Sequence, residues 1–163
     1  MMRKIKGKGM LVAASAMLAV VIYSCDKDDD GVNDNVRSSE YALAAVGNSG
    51  VAGKVTITEN TDKSFNVLVN IDNSVKDTVH PLHIHNGSIN IPGSIAIPLT
   101  SITGTGAAAQ SLTSNINSVT WPDSTVHQIT YDSIVKYNGY LNVHYSPSRM
   151  DSLITQGNIG VNN

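Results

Sequence analysis

The chain has 163 residues with 11 basic and 13 acidic side chains, which allows one ordinary domain plus a short extra segment and excludes a large multidomain enzyme. All 13 carboxylates lie after residue 25, so from Cys25 onward seven basic side chains face 13 acidic ones and the net charge is −6. That balance argues against a nucleic-acid partner.

Arg3, Lys4, Lys6 and Lys8 make a basic start, and the 14 residues Gly9 to Ile22 form an unbroken run of apolar and small side chains. A bilayer-spanning helix needs about 20 apolar residues, so the run reads as the core of a secretory signal peptide over residues 1–24, not as a permanent span. The one cysteine of the chain, Cys25, directly follows Ser24. This arrangement resembles the lipobox of bacterial lipoproteins. The resemblance implies that Cys25 is acylated, becomes the mature N-terminus and holds the protein on a membrane, at about 0.8 kcal/mol per buried methylene. With Cys25 so used, no disulfide or thiol nucleophile is left.

Asp26-Lys27-Asp28-Asp29-Asp30 is too charged to pack, so residues 25–39 are predicted to be the acylated cysteine and a solvated tether. The acidic run resembles the signal that sends some Gram-negative lipoproteins to the outer face of the outer membrane, which implies a lipid-anchored, cell-surface protein. Asp26, Asp28, Asp30 and Gly31 also match the opening of an EF-hand loop. The twelfth position is Arg37, where a bidentate glutamate is needed, so no calcium loop is expected.

After Asp30, Val and Ile number 27 against seven Leu and two Glu, a balance that favours pleated strands over helices. Gly50 to Glu59 alternates Val51, Gly53, Val55 and Ile57 with Ala52, Lys54, Thr56 and Thr58. Phe65, Val67, Val69 and Ile71 repeat the pattern after the turn Asn60-Thr61-Asp62-Lys63, so the two segments form a hairpin. Further strands are predicted at Tyr41–Val46, Val79–His85, Ser94–Leu99, Ala107–Thr113, Gly139–Tyr145 and Asn158–Val161. Two short helical turns are expected: Tyr131–Tyr137 capped by Thr130, and Pro147–Thr155 capped by Ser146. Residues 40–163 therefore form one all-β domain, an antiparallel, Greek-key-like β-sandwich or flattened barrel of about seven or eight strands.

Of the five histidines, three fall within His80-Pro81-Leu82-His83-Ile84-His85. On a strand, residues two apart project from one face about 6.6–6.8 Å apart, so His83 and His85 point together while Leu82 and Ile84 make the apolar back. Tyr140-Leu141-Asn142-Val143-His144-Tyr145 has the same polarity, with His144, Asn142 and Tyr140 sharing a face. If the two strands are neighbours, His83, His85 and His144 form a three-nitrogen metal site with an open position, and Cu(II), then Zn(II), is the expected ion. The same three side chains could instead order the sheet through hydrogen bonds to one another and to Asn142. His80, before Pro81, and His127, beside Trp121-Pro122, are expected in surface or packing roles.

His83-Ile84-His85-Asn86-Gly87, then Pro92-Gly93, Tyr140-Leu141-Asn142-Val143-His144 and Gly157-Asn158-Ile159-Gly160 together resemble the chordin-type CHRD domain, over roughly residues 40–161. The resemblance implies an extracellular β-sandwich and a protein or glycan partner. Gly160 stands where that family carries an arginine. The two histidine strands are also similar to the copper strands of copper/zinc superoxide dismutase, which implies copper ligation by His83, His85 and His144. This chain has no histidine between His85 and His127 for a bridging and zinc-binding loop, and no disulfide, so dismutase activity is not expected.

No other catalytic set stands out. Gly104-Thr105-Gly106-Ala107-Ala108-Ala109 nominally fits a dinucleotide fingerprint, yet its surroundings read as strand and loop. No serine sits in a nucleophile elbow, and Glu40 and Glu59 are the only glutamates. The sequence thus predicts a non-enzymatic, lipid-anchored, CHRD-like envelope protein with a copper or zinc site, or alternatively an adhesion module whose histidines are structural. Tyr131, Tyr137, Tyr140 and Tyr145 are expected to cover the ends of the core.

Overall fold

The computed structural model describes residues 36–163. The predicted signal peptide, Cys25 and the acidic run lie outside the described residues. Ten strands and one short helix follow in chain order: β1 Ser38–Ala45, β2 Gly53–Glu59, β3 Phe65–Ile71, β4 Val79–Ser88, β5 Ile91–Thr103, β6 Ala109–Ile116, β7 Ser118–Thr120, β8 Val126–Gln128, α1 Tyr131–Ile134, β9 Asn138–Ser146 and β10 Arg149–Gly160. Strand β1 starts two residues ahead of the predicted domain boundary. Arg37 just before it is already engaged, its guanidinium bonded to Glu59 at 2.6 Å and to Asp132 at 2.6 Å.

Eight strands form one antiparallel sheet in the order β5-β4-β9-β10-β1-β2-β3-β6, and β7 and β8 make a separate two-stranded ribbon. The chain runs β1 to β3 as a meander and crosses for β4 and β5. It then returns to lay β6 beside β3, and crosses again for β9 and β10. The edge strands approach each other, with the Thr100 amide of β5 donating to Thr113 Oγ1 of β6 at 2.8 Å. The β1–β10 junction is short, with Ala44↔Gln156 and Ala45↔Thr155 paired. The result is two four-stranded halves curled nearly into a barrel, which is the flattened-barrel form of the all-β expectation.

Alternation builds the core. In β3, Phe65, Val67, Val69 and Ile71 are buried while Asn66, Leu68 and Asn70 are only partly so. Val55 and Ile57 of β2, Leu82 and Ile84 of β4 and Leu141 and Val143 of β9 fill the same interior and are essentially inaccessible.

One predicted element is corrected. The segment expected to be a helix, Pro147–Thr155, is a two-residue turn at Pro147-Ser148 followed by strand β10. Proline fixes φ for a turn as well as for a first helical residue. Pairing of Arg149 to Gly160 along β9 satisfies backbone groups that a short helix would leave open at both ends. The other predicted helix is present but shorter, Tyr131–Ile134, and Thr130 sits at its N-cap without a side-chain cap bond. The ribbon of β7 and β8, three residues each, has no counterpart among the predicted strands.

Candidate metal centre

The strand neighbourhood on which the three-histidine site depended is present: β4 pairs with β9, with His83 opposite Asn142 and His85 opposite Tyr140. The flanking pairs Leu82↔Val143 and Ile84↔Leu141 occupy the core, so the pleat sends the histidines to the opposite face of the sheet. There His83, His85 and His144 each offer a ring nitrogen, all within 4.8 Å of one another. In tetrahedral coordination, nitrogens bound at 2.0–2.1 Å to one ion lie about 3.3–3.4 Å apart, so the rings have to close by up to ~1.5 Å to hold one.

Two backbone carbonyls set the tautomers. His144 Nδ1 donates to Met150 O at 2.6 Å, and His85 Nδ1 donates to Gly93 O at 3.2 Å. A carbonyl only accepts, so each Nδ1 keeps its hydrogen and each Nε2 presents a lone pair. The Nε2 of His85 is buried with no partner. His83 Nδ1 lies 3.4 Å from His144 Nε2, and because that Nε2 carries a lone pair, His83 Nδ1 is the donor of this long contact and the His83 lone pair is on Nε2. Such carbonyl contacts behind a ligand ring are the usual support of a metal-binding histidine.

Irregularities in the flanking strands bring those carbonyls into place. Between β4 and β5 the register slips at three points, and at each one β5 uses a residue more than β4. Two of the slips flank His85, and the chain near Gly93 folds back beneath its ring. A Cβ on Gly93 would meet Asn86 O at 2.4 Å, so the approach requires glycine. Between β9 and β10 the register slips between Arg149 and Leu153 and again between Leu153 and Thr155, and this arch carries the Met150 carbonyl to His144.

Burial pushes all three imidazoles below their ordinary pKa. For His83 the neighbouring rings of His144 and His85 add to that effect, whereas for His85 and His144 the carbonyl bonds partly oppose it. The rings are therefore neutral at pH 7, the state in which imidazole ligates metal. Tyr140 stacks on His85 with ring centroids 4.9 Å apart and walls one side of the site.

The remaining histidines stand apart. His80, which the sequence placed at the surface or in packing, is wholly buried and donates from Nδ1 to the backbone oxygen of His144 at 3.2 Å. His127 stacks on Trp121, centroids 3.7 Å apart, on the small ribbon. The four late tyrosines, expected over the ends of the core, have different surroundings. Tyr131 and Tyr140 are buried, Tyr145 lies under the Arg149 guanidinium, and the Tyr137 hydroxyl donates to Asn86 Oδ1.

Sequence reasoning missed the role of Asn86. Its amide donates to Ser94 Oγ at 3.1 Å and Thr120 O at 3.2 Å while its oxygen accepts from Tyr137, so it ties β5, β7 and the segment after α1 to the end of β4. The only available signal was its place directly after His85. No family model matches the chain, and no curated protein does.

Proposed function

We propose that the protein is a lipid-anchored, CHRD-like envelope protein that holds one copper or zinc ion at His83, His85 and His144, without catalytic turnover. The observation that carries the metal site is the buried, partnerless Nε2 of His85, held unprotonated by the Gly93 carbonyl and facing two further imidazoles. A buried polar atom left without a partner costs free energy, and a ligated ion removes that cost. Three neutral nitrogens suit Cu(II) first and Zn(II) second, following the general order of divalent affinities. Attachment to the outer membrane through acylated Cys25, and exposure at the cell surface, are supported by the lipobox-like and acidic segments of the sequence.

The test is titration of the detergent-purified protein with Cu(II) and Zn(II), alongside His83→Ala/His85→Ala. One equivalent bound at micromolar affinity or better, lost in the variant while the β fold persists, supports the metal site. Failure of the unmutated protein to retain either ion would sink it.

A second class of function, recognition of a protein or glycan partner, is favoured by one feature. A cleft of about 550 Å³ beside the metal site is lined by Ile91, Pro92, Trp121, Pro122 and Tyr137, and Ile91 is 76% exposed. Aromatic and apolar side chains at the surface of a cleft are the usual anchors of such contacts.

A further inference from the structure

Asn142 is the polar residue of the site that nothing yet accounts for. It lies on β9 directly opposite His83 and two residues before His144, on the histidine face of the sheet. It is 8% exposed, and its Oδ1 is buried with no hydrogen-bond partner. Among the described residues only two other side-chain atoms share that condition, His80 Nε2 and His85 Nε2. Two of the three orphaned atoms therefore belong to one small patch of sheet.

Packing does not explain an amide there. Leu141 and Val143 on either side of it turn to the core, so residue 142 lies on the histidine face, where a leucine would fill similar space without stranding a carbonyl. Bonding to the rings does not explain it either, because Oδ1 accepts from none of them. Directly opposed side chains on paired strands have Cβ atoms about 4.5–5.5 Å apart, so the Asn142 amide and the His83 ring reach a common point. An amide oxygen is also a metal donor, and a neutral one.

Resting on the metal site proposed above, we propose that Asn142 Oδ1 is the fourth protein donor to the ion, giving a set of three imidazole nitrogens and one amide oxygen. Mixed nitrogen and oxygen donation of this kind suits Cu(II) in a tetragonal arrangement and Zn(II) in a tetrahedral one. The open position expected from three histidines alone is then occupied, which fits a site that holds an ion more than one that turns over substrate.

The experiment compares the full chain in detergent with Asn142→Leu and Asn142→Asp. It reads Cu(II) affinity by chelator competition, the Cu(II) electron paramagnetic resonance spectrum, and the melting temperature of the metal-free protein. Asn142→Leu is expected to bind Cu(II) at least ~10-fold more weakly with an altered spectrum. Its metal-free form should melt at or above the temperature of the unmutated protein, because an unpaired buried oxygen has been removed. Asn142→Asp, which keeps an oxygen at the same place, is expected to match or exceed the unmutated affinity. The proposal is overturned if Asn142→Leu matches the unmutated protein in affinity and spectrum. It is equally overturned if the loss of affinity comes only with a lower metal-free melting temperature and Asn142→Asp fails to restore binding. If the unmutated protein binds no copper, the metal site itself falls, and this proposal with it. Normal binding by the unmutated protein and by Asn142→Leu sinks only the role of Asn142.

Discussion

A neutral imidazole has one hydrogen and one lone pair, and the carbonyls of Gly93 and Met150 decide which nitrogen keeps which in His85 and His144. Burial lowers the proton affinity of His83, His85 and His144 in the fold, so the unfolded chain takes up protons more readily than the native one. By linkage, the stability these groups carry is fully present above the ordinary histidine value of about 6.5 and is lost as pH falls through their lower native values. Urea midpoints of the metal-free protein should therefore be flat from pH 8 to 7 and decline below about pH 6.5. In His83→Ala/His85→Ala the decline should be shallower, and an equal slope in both proteins would contradict the assignment. At Asn86, replacement by alanine strands the Tyr137 hydroxyl and the Thr120 carbonyl, and a loss of about 1–3 kcal/mol is expected in denaturant unfolding. At this scale the sequence exposed the three histidines and the shared face of each strand, because period-two alternation needs no partner strand to be read. It could not expose the carbonyl supports, since a backbone oxygen has no residue signature.

Among the elements, β4 and β9 were legible, and of β10 only the end was, within the strand expected at Asn158–Val161. His83 and His85, and Asn142 and His144, alternate with fully buried Leu82, Ile84, Leu141 and Val143, so both strands and their facing were readable. Arg149 to Gln156 lacks that regularity because the strand is bulged. Two register slips interrupt its alternation, and Pro147 ahead of it fits a helix start as well as a hairpin turn. The same kind of irregularity on β5 brings Gly93 under His85. Gly93→Ala should therefore do two things together, because its Cβ would lie 2.4 Å from Asn86 O. It should destabilise the fold by about 1–3 kcal/mol and weaken copper binding by releasing the His85 ring. A variant that unfolds more easily in a melt but binds copper as tightly as before would show that the Gly93 carbonyl does not set the site.

For the molecule as a whole, the sheet curls until its edges approach, and β1 meets β10 through a short ladder, Ala44↔Gln156 and Ala45↔Thr155, continued by the Val46 amide donating to Ile154 O at 3.1 Å. Thr155 Oγ1 donates to Ala44 O at 2.9 Å across this junction, and a Cβ on Gly157 would stand 2.2 Å from Ala42 O. Gly157→Ala should push the two halves apart, at a cost of about 1–3 kcal/mol by chemical unfolding. An unchanged midpoint would mean the halves hold together without that close approach. The all-β class was readable from the dominance of Val and Ile, and a flattened barrel was among the expected forms, but the β1–β10 pairing that joins its halves was not, because it links residues more than a hundred positions apart. For the envelope location, Cys25→Ala is expected to move the protein out of the membrane fraction, since acyl chains on that cysteine are the proposed anchor. Retention of the variant in membranes would remove the lipid from the account.

The most direct test of the metal site is anomalous diffraction at the copper edge from crystals of the copper-loaded protein. The account predicts one strong peak about 2.0–2.1 Å from a ring nitrogen of each of His83, His85 and His144. A peak only at His127 or His80, or no ordered peak at full loading, would contradict it.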